Sequence, residues 1–456
     1  MNMTNIRGAL IAGVALSALG AVPAHAQTGR EAELEARLRM LEAAVAELRS
    51  ELAQEGVSED SAAATPQSAS PPLHAEPATK LTAQQSIEDS GPSIEVGGFF
   101  KTYAAVSGYS DGTLAANSSG HDFYNPGTIP VGGESQGASF RANVKQTRIA
   151  LKARAPLAKE VLAGVLEVDF QSSPGSGSHR VTNAYNPALR RAFMSYGNLL
   201  IGQEWTNFQY LPALPETADY LGPSEGTVFV RQPQLRYTHA LSRSASFSVA
   251  AENPAVTTAD AGSAIIGENH AGRLPDLTAR LNLTLGSAEL SLAGLARELT
   301  AHLGDEEDAA LGWGLSVAGK IQLGAQRRHD LRFMVTHGSG IGRYVGLNLA
   351  PDAIVVRDGG LRLEPAVLTA GFAALRLGWT KRLRSTFMVS AQKIDVPAAL
   401  AALDSNDTVW SASANLFYSP MPQVDFGFEL RHGERELVSG ATGRLDRAEF
   451  AAKYSF

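Results

Sequence analysis

Large apolar and polar side chains alternate with a period of two from Ser93 to the end of the chain. In the final segment, apolar side chains share one face: Phe450, Ala452, Tyr454 and Phe456. Charged and polar side chains share the opposite face: Arg447, Glu449, Lys453 and Ser455. A strand with these two faces fits a wall between lipid and water, and an amphipathic edge strand of a soluble sheet is the alternative.

The alternation divides the chain beyond residue 92 into sixteen predicted strands. They are 94–106, 140–153, 161–171, 189–196, 199–204, 231–240, 245–252, 274–284, 287–298, 311–323, 328–337, 367–379, 384–395, 408–418, 424–432 and 444–456. Aromatic residues near the strand ends predict the interfacial girdles of a membrane barrel. They are Phe99, Tyr103, Trp313, Trp379, Trp410, Phe417, Tyr418 and Tyr454.

The connections between these strands alternate in length. Long ones follow the odd strands: 107–139, 172–188, 205–230, 253–273, 299–310, 338–366, 396–407 and 433–443. Short ones follow the even strands: 154–160, 197–198, 241–244, 285–286, 324–327, 380–383 and 419–423. A bacterial barrel has short periplasmic turns and long outer loops. The pattern therefore predicts an all-β fold over residues 93–456, a 16-stranded antiparallel transmembrane β-barrel, which is wide enough to hold an aqueous channel.

The residues before the barrel divide into three segments. Residues 1–26 have the positive start, short apolar run and Ala-His-Ala site of a signal peptide. Residues 27–55 predict an N-terminal α-helical coiled coil in the periplasm, because large apolar residues recur at heptad spacing. Those residues are Leu34, Leu38, Leu41, Val45, Leu48 and Leu52. Residues 56–92 are rich in Ala, Ser, Pro and Gln, and predict a flexible linker.

Composition excludes several other classes of function. The chain has no cysteine and a net charge of −7, so neither a disulfide framework nor a nucleic-acid partner is expected. The ten histidines are scattered and no hydrolase or zinc-protease motif is present, so an enzyme and a cofactor are not expected. The acidic run 305–308 could bind a divalent cation, but a solvated run is the favoured interpretation.

The third long connection, 205–230, is stiffened by aromatic residues and proline. Water is a poor environment for so many aromatic groups, so the loop is predicted to fold into the lumen and narrow it. An outer cap or a trimer contact is the alternative. The predicted constriction residues are Trp205, Phe208, Tyr210 and Glu216.

Short runs around this loop carry a family resemblance. They are Gly202-Gln203-x-Trp205, Pro215-Glu216-Thr217, Gly222-Pro223 and Arg231-Gln232-Pro233-Gln234-x-Arg236-Tyr237. In this order they resemble the DcaP-like outer-membrane porins, and the resemblance extends over nearly the whole chain. It implies a homotrimer in the Gram-negative outer membrane, surrounded by lipid, that takes up dicarboxylates. The terminal Phe456 resembles the tail that the barrel assembly machinery recognises.

Basic residues beside the loop and at other lumen-facing positions predict contacts with small anionic solutes, because guanidinium groups match carboxylates and stay charged. The predicted substrate-binding residues are Arg148, Lys152, Arg231, Arg236, Arg280, Arg332 and Arg376. Acids at lumen-facing positions predict that some of these cations are ion-paired instead: Glu167, Asp169, Asp276, Glu289, Asp330 and Asp425. Glu204 adds a negative charge near the constriction. A general non-selective porin and a plugged barrel that acts as a structural tether or adhesin are the competing functions.

Overall fold

The computed structural model describes residues 91–116, 118–135, 137–171, 183–269, 272–303 and 305–456. The predicted signal peptide, the coiled coil and all but the end of the linker lie outside the described residues. Within them, no helix is long and apolar enough to cross a membrane.

The described residues form strands joined by loops that contain short 3₁₀ turns. The strands are β1 (Ser93–Tyr109), β2 (Ser139–Asn143), β3 (Arg148–Leu157), β4 (Glu160–Asp169), β5 (Ala188–Tyr196), β6 (Leu199–Trp205), β7 (Arg231–Ser242), β8 (Ala245–Glu252), β9 (Val256–Asp260), β10 (Gly267–Asn269), β11 (Asp276–Leu285), β12 (Ala288–Leu303), β13 (Glu306–Leu323), β14 (His329–Ser339), β15 (Ala353–Arg357), β16 (Leu361–Pro365), β17 (Val367–Gly378), β18 (Leu383–Asp395), β19 (Asn406–Met421), β20 (Val424–Leu437) and β21 (Thr442–Ser455). The 3₁₀ turns are Ser119–His121, Pro126–Thr128, Leu211–Ala213, Ser224–Gly226 and Gly342–Tyr344.

The main sheet closes into a sixteen-stranded antiparallel barrel, as predicted. Each strand pairs with its neighbour in the chain, and the first strand closes on the last through pairs such as Phe100 with Tyr454. The predicted second strand is divided, because residues 144–147 leave the ladder between β2 and β3. Thr147 fills this gap by accepting a hydrogen bond of 3.1 Å from the backbone N–H of Lys101.

The two faces of the wall differ as the alternation predicts. In β20, Phe426, Phe428 and Leu430 are exposed on the outer face, where a bilayer would cover them. The charged residues at the alternate positions of this strand point into the barrel and are buried: Asp425, Glu429 and Arg431. Each strand therefore carries lipid-facing apolar groups and lumen-facing charges at once.

Of the eight aromatic residues predicted to form the interfacial girdles, five lie on the outer face of the barrel and three do not. Exposed side chains lie on the outer face at Trp313, Trp379, Trp410, Tyr418 and Tyr454. Tyr103 and Phe417 are instead fully buried inside the barrel. The Tyr103 hydroxyl donates a hydrogen bond of 2.6 Å to Glu449, a partner that lipid could not supply. Phe99 also turns inward, where its ring lies 5.2 Å from the guanidinium of Arg148.

Two predicted long loops are in fact continuations of hairpins. The predicted loop 299–310 contains the ladder of β12 and β13, which reaches the pair Leu303 with Glu306. The predicted loop 433–443 is shortened in the same way by β20 and β21. The alternation was lost because these hairpins rise past the barrel wall, and Leu299 and Ala301 pack on other outer loops rather than facing the lumen.

Two further outer loops form a small sheet above the barrel. Its strand order is β10, β9, β15 and β16, with β9 and β15 parallel. The acidic run 305–308 borders this sheet, where Glu306 and Asp308 accept hydrogen bonds of 3.0 and 2.7 Å from the backbone N–H groups of Leu361 and Leu363. No group of acidic or histidine side chains in the described part of the chain could hold a metal ion.

Candidate functional site

The loop 205–230 leaves β6 and runs along the inner wall of the barrel. The backbone N–H of Asn207 donates a hydrogen bond of 2.8 Å to Glu252 on β8. Arg280 on β11 donates to the carbonyl oxygen of Gln209. Next along the wall, the Tyr210 hydroxyl lies 3.2 Å from Glu289 on β12. The loop thus follows the wall strand by strand.

The tip of the loop is fastened to the opposite side of the barrel. Glu216 forms a bidentate ion pair with Arg384 on β18, with N–O distances of 2.5 and 2.7 Å. The hydroxyl of Thr217 and the backbone N–H of Ala218 both donate to Glu429 on β20, at 2.7 and 2.9 Å. All three loop residues are buried, so this part of the loop is held by charge-assisted hydrogen bonds away from water.

Beyond the tip, the loop reaches the first strands and then turns back. Lys101 on β1 donates a hydrogen bond of 3.1 Å to the carbonyl oxygen of Asp219. The Tyr220 hydroxyl donates to Asp169 on β4 at 2.8 Å and also contacts Arg190 on β5. With the contacts described above, the loop touches inward-facing residues around the circumference of the lumen.

The first part of the outer loop 338–366, residues 341–350, also enters the lumen, which the sequence reasoning missed, whereas its later part forms β15 and β16 of the outer sheet. Side chains of residues 341–350 pack on the first loop: Phe208 meets Tyr344 edge to face, with ring centroids 6.1 Å apart. Loop and wall side chains form one buried apolar cluster: Phe208, Leu211, Leu214, Ile341, Tyr344, Val345, Leu349, Met334, Leu368 and Phe372. This apolar block packs on β14 and β17 inside the barrel. The signal in the sequence was the concentration of apolar residues in 341–350. It was not used because the segment was assigned to an outer loop.

Four arginines lie together on the wall formed by β3, β4, β5 and the start of β7: Arg148, Arg190, Arg191 and Arg231. Arg190 pairs with Glu167 at 2.7 Å and with Asp169 at 2.6 Å. Arg191 pairs with Glu204 at 2.6 Å and with Glu167 at 3.6 Å, and Arg148 lies 3.7 Å from Glu167. This arginine cluster therefore sets four cations against three carboxylates.

The sequence reasoning missed Arg190 and Arg191, although both lie in a predicted strand. In a regular strand two adjacent residues face opposite sides. Here the register shifts between Glu167 and Val168 on the partner strand, which leaves Arg190 as an extra residue. Both arginines are consequently buried inside the barrel. Only a bulge delivers two consecutive charges to one face, and strict alternation cannot anticipate it.

Arg231 is the member of the arginine cluster best placed to meet a solute. It lies close to Asp169 and Glu167 but forms no ion pair within 4.0 Å among the described residues. Its guanidinium lies 5.0 Å from the centre of the Trp205 ring, which covers one face of the group. Its Nη1 has no hydrogen-bond partner in the part of the chain that the structure describes. Nη1 itself is buried, but the residue as a whole is partly exposed, so Arg231 is a cation of the cluster that no carboxylate neutralises by direct contact.

Arg236 and Arg280 lie further along the same side of the lumen. Arg236 is buried and, among the described residues, has no ion-pair partner. The nearest acids are Glu204 and Glu252. Glu204 is ion-paired with Arg191, and Glu252 accepts hydrogen bonds from Asn207 and Gln232. Arg280 anchors the loop through Gln209, and its Nε lacks a partner within the described residues.

The other predicted substrate contacts are engaged by protein groups. Arg332 pairs with Asp330 at 2.5 Å and donates to the carbonyl oxygen of Leu214. Arg376 lies 3.6 Å from Asp330 and 3.8 Å from Glu216, and remains a quarter exposed. Lys152 lies 3.9 Å from Glu95. Arg332 thus holds the loop, whereas Arg376 and Lys152 keep some contact with water.

The predicted constriction residues divide by burial. Phe208 and Glu216 are almost fully buried between loop and wall, so they hold the loop and do not face a solute. Trp205 and Tyr210 are also buried but border Arg231 and Arg280. Burial and the neighbouring Glu289 raise the pKa of the Tyr210 phenol, which stays a hydrogen-bond donor at neutral pH.

A closed sixteen-stranded barrel with an apolar outer face, a charged inner face and loops folded into its lumen defines an outer-membrane channel of the porin class. Residues 110–456 match the DcaP outer membrane protein family, and the chain belongs to that family. The resemblance seen in the motifs around the loop is therefore confirmed.

A solved DcaP channel has the same fold. The crystal structure of the outer membrane channel DcaP of Acinetobacter baumannii has 26% sequence identity and a TM-score of 0.65, and the match covers 80% of this chain and 98% of that one. A Salmonella typhi OmpF complex with daunomycin has 12% identity and a TM-score of 0.49, over 80% of this chain and 98% of that one. A trimer form of OmpT from Vibrio cholerae has 9% identity and a TM-score of 0.48, over 80% and 100%. No curated protein matches the chain in sequence.

Proposed function

We propose that this protein is a passive channel that lets small organic anions, dicarboxylates above all, diffuse across the Gram-negative outer membrane. The observation that carries this proposal is the surplus of positive charge in the arginine cluster, together with Arg231, which is partly exposed and has no ion pair among the described residues. Arg236 and Arg280 extend the same surplus along the lumen.

The acids within the arginine cluster keep the passage reversible. Glu167, Asp169 and Glu204 hold Arg190 and Arg191 in two-point ion pairs, which fix where those guanidinium groups lie. Their negative charge also limits the attraction that an anion experiences, and a channel needs binding that is weak enough for release. Arg231 is thus the contact, and its neighbours set how strongly it binds.

The apolar block favours a second candidate, a plugged barrel that serves as a structural tether. Two outer loops fill part of the lumen with packed side chains such as Phe208 and Tyr344. If the remaining cross-section admits only water, the predicted coiled coil at 27–55 would be the functional part. Ion conductance separates the two candidates, since a tether requires none.

The expected partners follow from the same proposal. Exposed apolar side chains cover the outer face of the barrel and would contact lipid. Phe456 exchanges two backbone hydrogen bonds of 3.1 Å with Gly98, and its ring lies 5.1 Å from that of Phe100. We propose that the barrel assembly machinery recognises this terminal residue. We also propose that the channel assembles as a homotrimer.

The test of the proposed substrate class is liposome swelling with the full chain. Succinate should enter faster than a neutral sugar of similar size, and faster than a monocarboxylate of equal length. Equal rates for all three would support a general non-selective porin. No swelling with any of them would support the plugged tether.

A further inference from the structure

Glu225 is a carboxyl group buried within the loop that enters the lumen. It lies in the 3₁₀ turn Ser224–Gly226, where the loop turns back across the barrel, and its side chain is fully buried. The turn is pressed against the wall, because a Cβ at Gly226 would lie 2.3 Å from the carbonyl oxygen of Gly371 on β17. Glu225 therefore reaches water only if the turn itself moves.

The surroundings of Glu225 suit a neutral carboxylic acid. The Ser411 hydroxyl donates to its Oε1. Its Oε2 has no hydrogen-bond partner in the part of the chain that the structure describes. Ser390 lies opposite Ser411 on the neighbouring strand and close to Glu225, but its hydroxyl forms no hydrogen bond of good geometry among the described residues. A protonated carboxyl could donate its hydrogen to the Ser390 hydroxyl and a carboxylate could accept from it, so the neutral form is favoured by burial and not by this contact.

Two ionisable groups face Glu225 from the surrounding elements: Tyr124 of the first outer loop and Arg431 of β20. Arg431 is engaged elsewhere, 2.5 Å from Glu429 and 3.8 Å from Glu449, with its guanidinium over the Tyr124 ring at 4.6 Å. No ion pair to Glu225 exists among the described residues. Burial raises the pKa of the Glu225 carboxyl, and the hydrogen bonds from Ser411, from the backbone N–H of Glu225 and from Ser390, together with the charge of Arg431, oppose this only in part.

We propose that Glu225 is a proton-dependent latch that holds the loop against β18 and β19. The protonated form keeps the turn docked, and ionisation releases the turn and widens the path for solutes. Because the pKa of the docked carboxyl lies above its value in water, docking is fully favourable at low pH and weakens as pH rises through the raised pKa. This inference rests on the proposed channel function and adds a regulation to it.

The experiment is conductance of the full chain in planar bilayers from about pH 5 to about pH 9. The wild type should conduct more as pH rises, whereas Glu225→Gln should lose this rise and stay near the low-pH value of the wild type. Glu268→Gln is the matched control, because Glu268 is exposed in the outer sheet. The control should keep the rise.

Two outcomes would overturn the latch: a wild type whose conductance does not change with pH, or a Glu225→Gln channel that follows the wild type. Asp219→Asn supplies a second contrast, since Asp219 is another buried carboxyl of the same loop, and Arg431 and Arg447 face it. Loss of the rise in that variant alone would assign the proton to Asp219. Heat-dependent migration on gels shows whether each barrel is folded. Anion preference, read from the reversal potential, tests the proposed function separately.

Discussion

The guanidinium of Arg231 lies over the ring of Trp205 at 5.0 Å, and these two residues flank the loop that enters the lumen. They also face each other in the ladder between β6 and β7, at the point where the two strands part. The indole covers one face of the cation. The position of a charge that can meet a solute is thus set by the first residue of the loop.

Replacing Trp205 with leucine should loosen Arg231 and weaken dicarboxylate binding. A cation–π contact contributes about 0.5–2 kcal/mol, which corresponds to a roughly 2- to 30-fold weaker block of ion current by a dicarboxylate. Trp205→Phe keeps an aromatic ring, so its block by a dicarboxylate should be weaker than in the wild type and stronger than in Trp205→Leu. Current fluctuations with increasing succinate measure the binding constant. Equal block in all three channels would show that the ring does not position the cation.

Replacing Glu216 with glutamine should free the tip of the loop. The change removes a buried charge that two N–H groups of Arg384 contact, and breaking such a pair costs about 3–5 kcal/mol. We expect a lower free energy of unfolding and a noisier open-channel current. Asp407→Asn is the control, because its pair with Lys393 is exposed and such pairs contribute about 1 kcal/mol or less. A quiet current in Glu216→Gln would mean that other contacts hold the tip.

Replacing Gly226 with alanine should push the turn away from the wall. The new methyl group would overlap the carbonyl oxygen of Gly371, and overpacking of this kind costs about 1–3 kcal/mol. Gly267→Ala makes the same change where the nearest atom would be 3.9 Å away, so it should have little effect. Conductance and the free energy of unfolding measure both variants. If Gly226→Ala and Gly267→Ala had the same conductance and the same free energy of unfolding, the turn would not be in contact with Gly371.

The sequence was informative where the barrel wall itself dictates side-chain placement. The outward position of Phe426 and the inward position of Glu429 follow from the alternation of the strand alone, because one face of each strand meets lipid and the other meets the lumen. The same rule fails where the environment is not two-sided. Tyr103 is an aromatic residue that needs an acceptor inside the barrel, and Arg190 owes its position to a bulge.

The candidate site was less predictable because it is made by contacts between distant segments. The loop 205–230 could be predicted from its aromatic residues, but its attachment depends on partners such as Arg384 and Glu429. The second loop was missed because Tyr344 meets Phe208 only after both loops have folded into the lumen. Whether an arginine is free or paired also depends on neighbours from other strands, as Arg231 and Arg332 show.

The central claim is that unpaired arginine charge makes the lumen prefer anions. The most direct test is the reversal potential of single channels in a salt gradient, with Arg231→Gln compared with the wild type. Arg357→Gln is the control, since Arg357 is exposed in the outer sheet and pairs with Asp260.

We predict that the wild type and the control share a reversal potential on the anion side and that Arg231→Gln shifts toward cations. A reversal potential unchanged by Arg231→Gln would contradict the account.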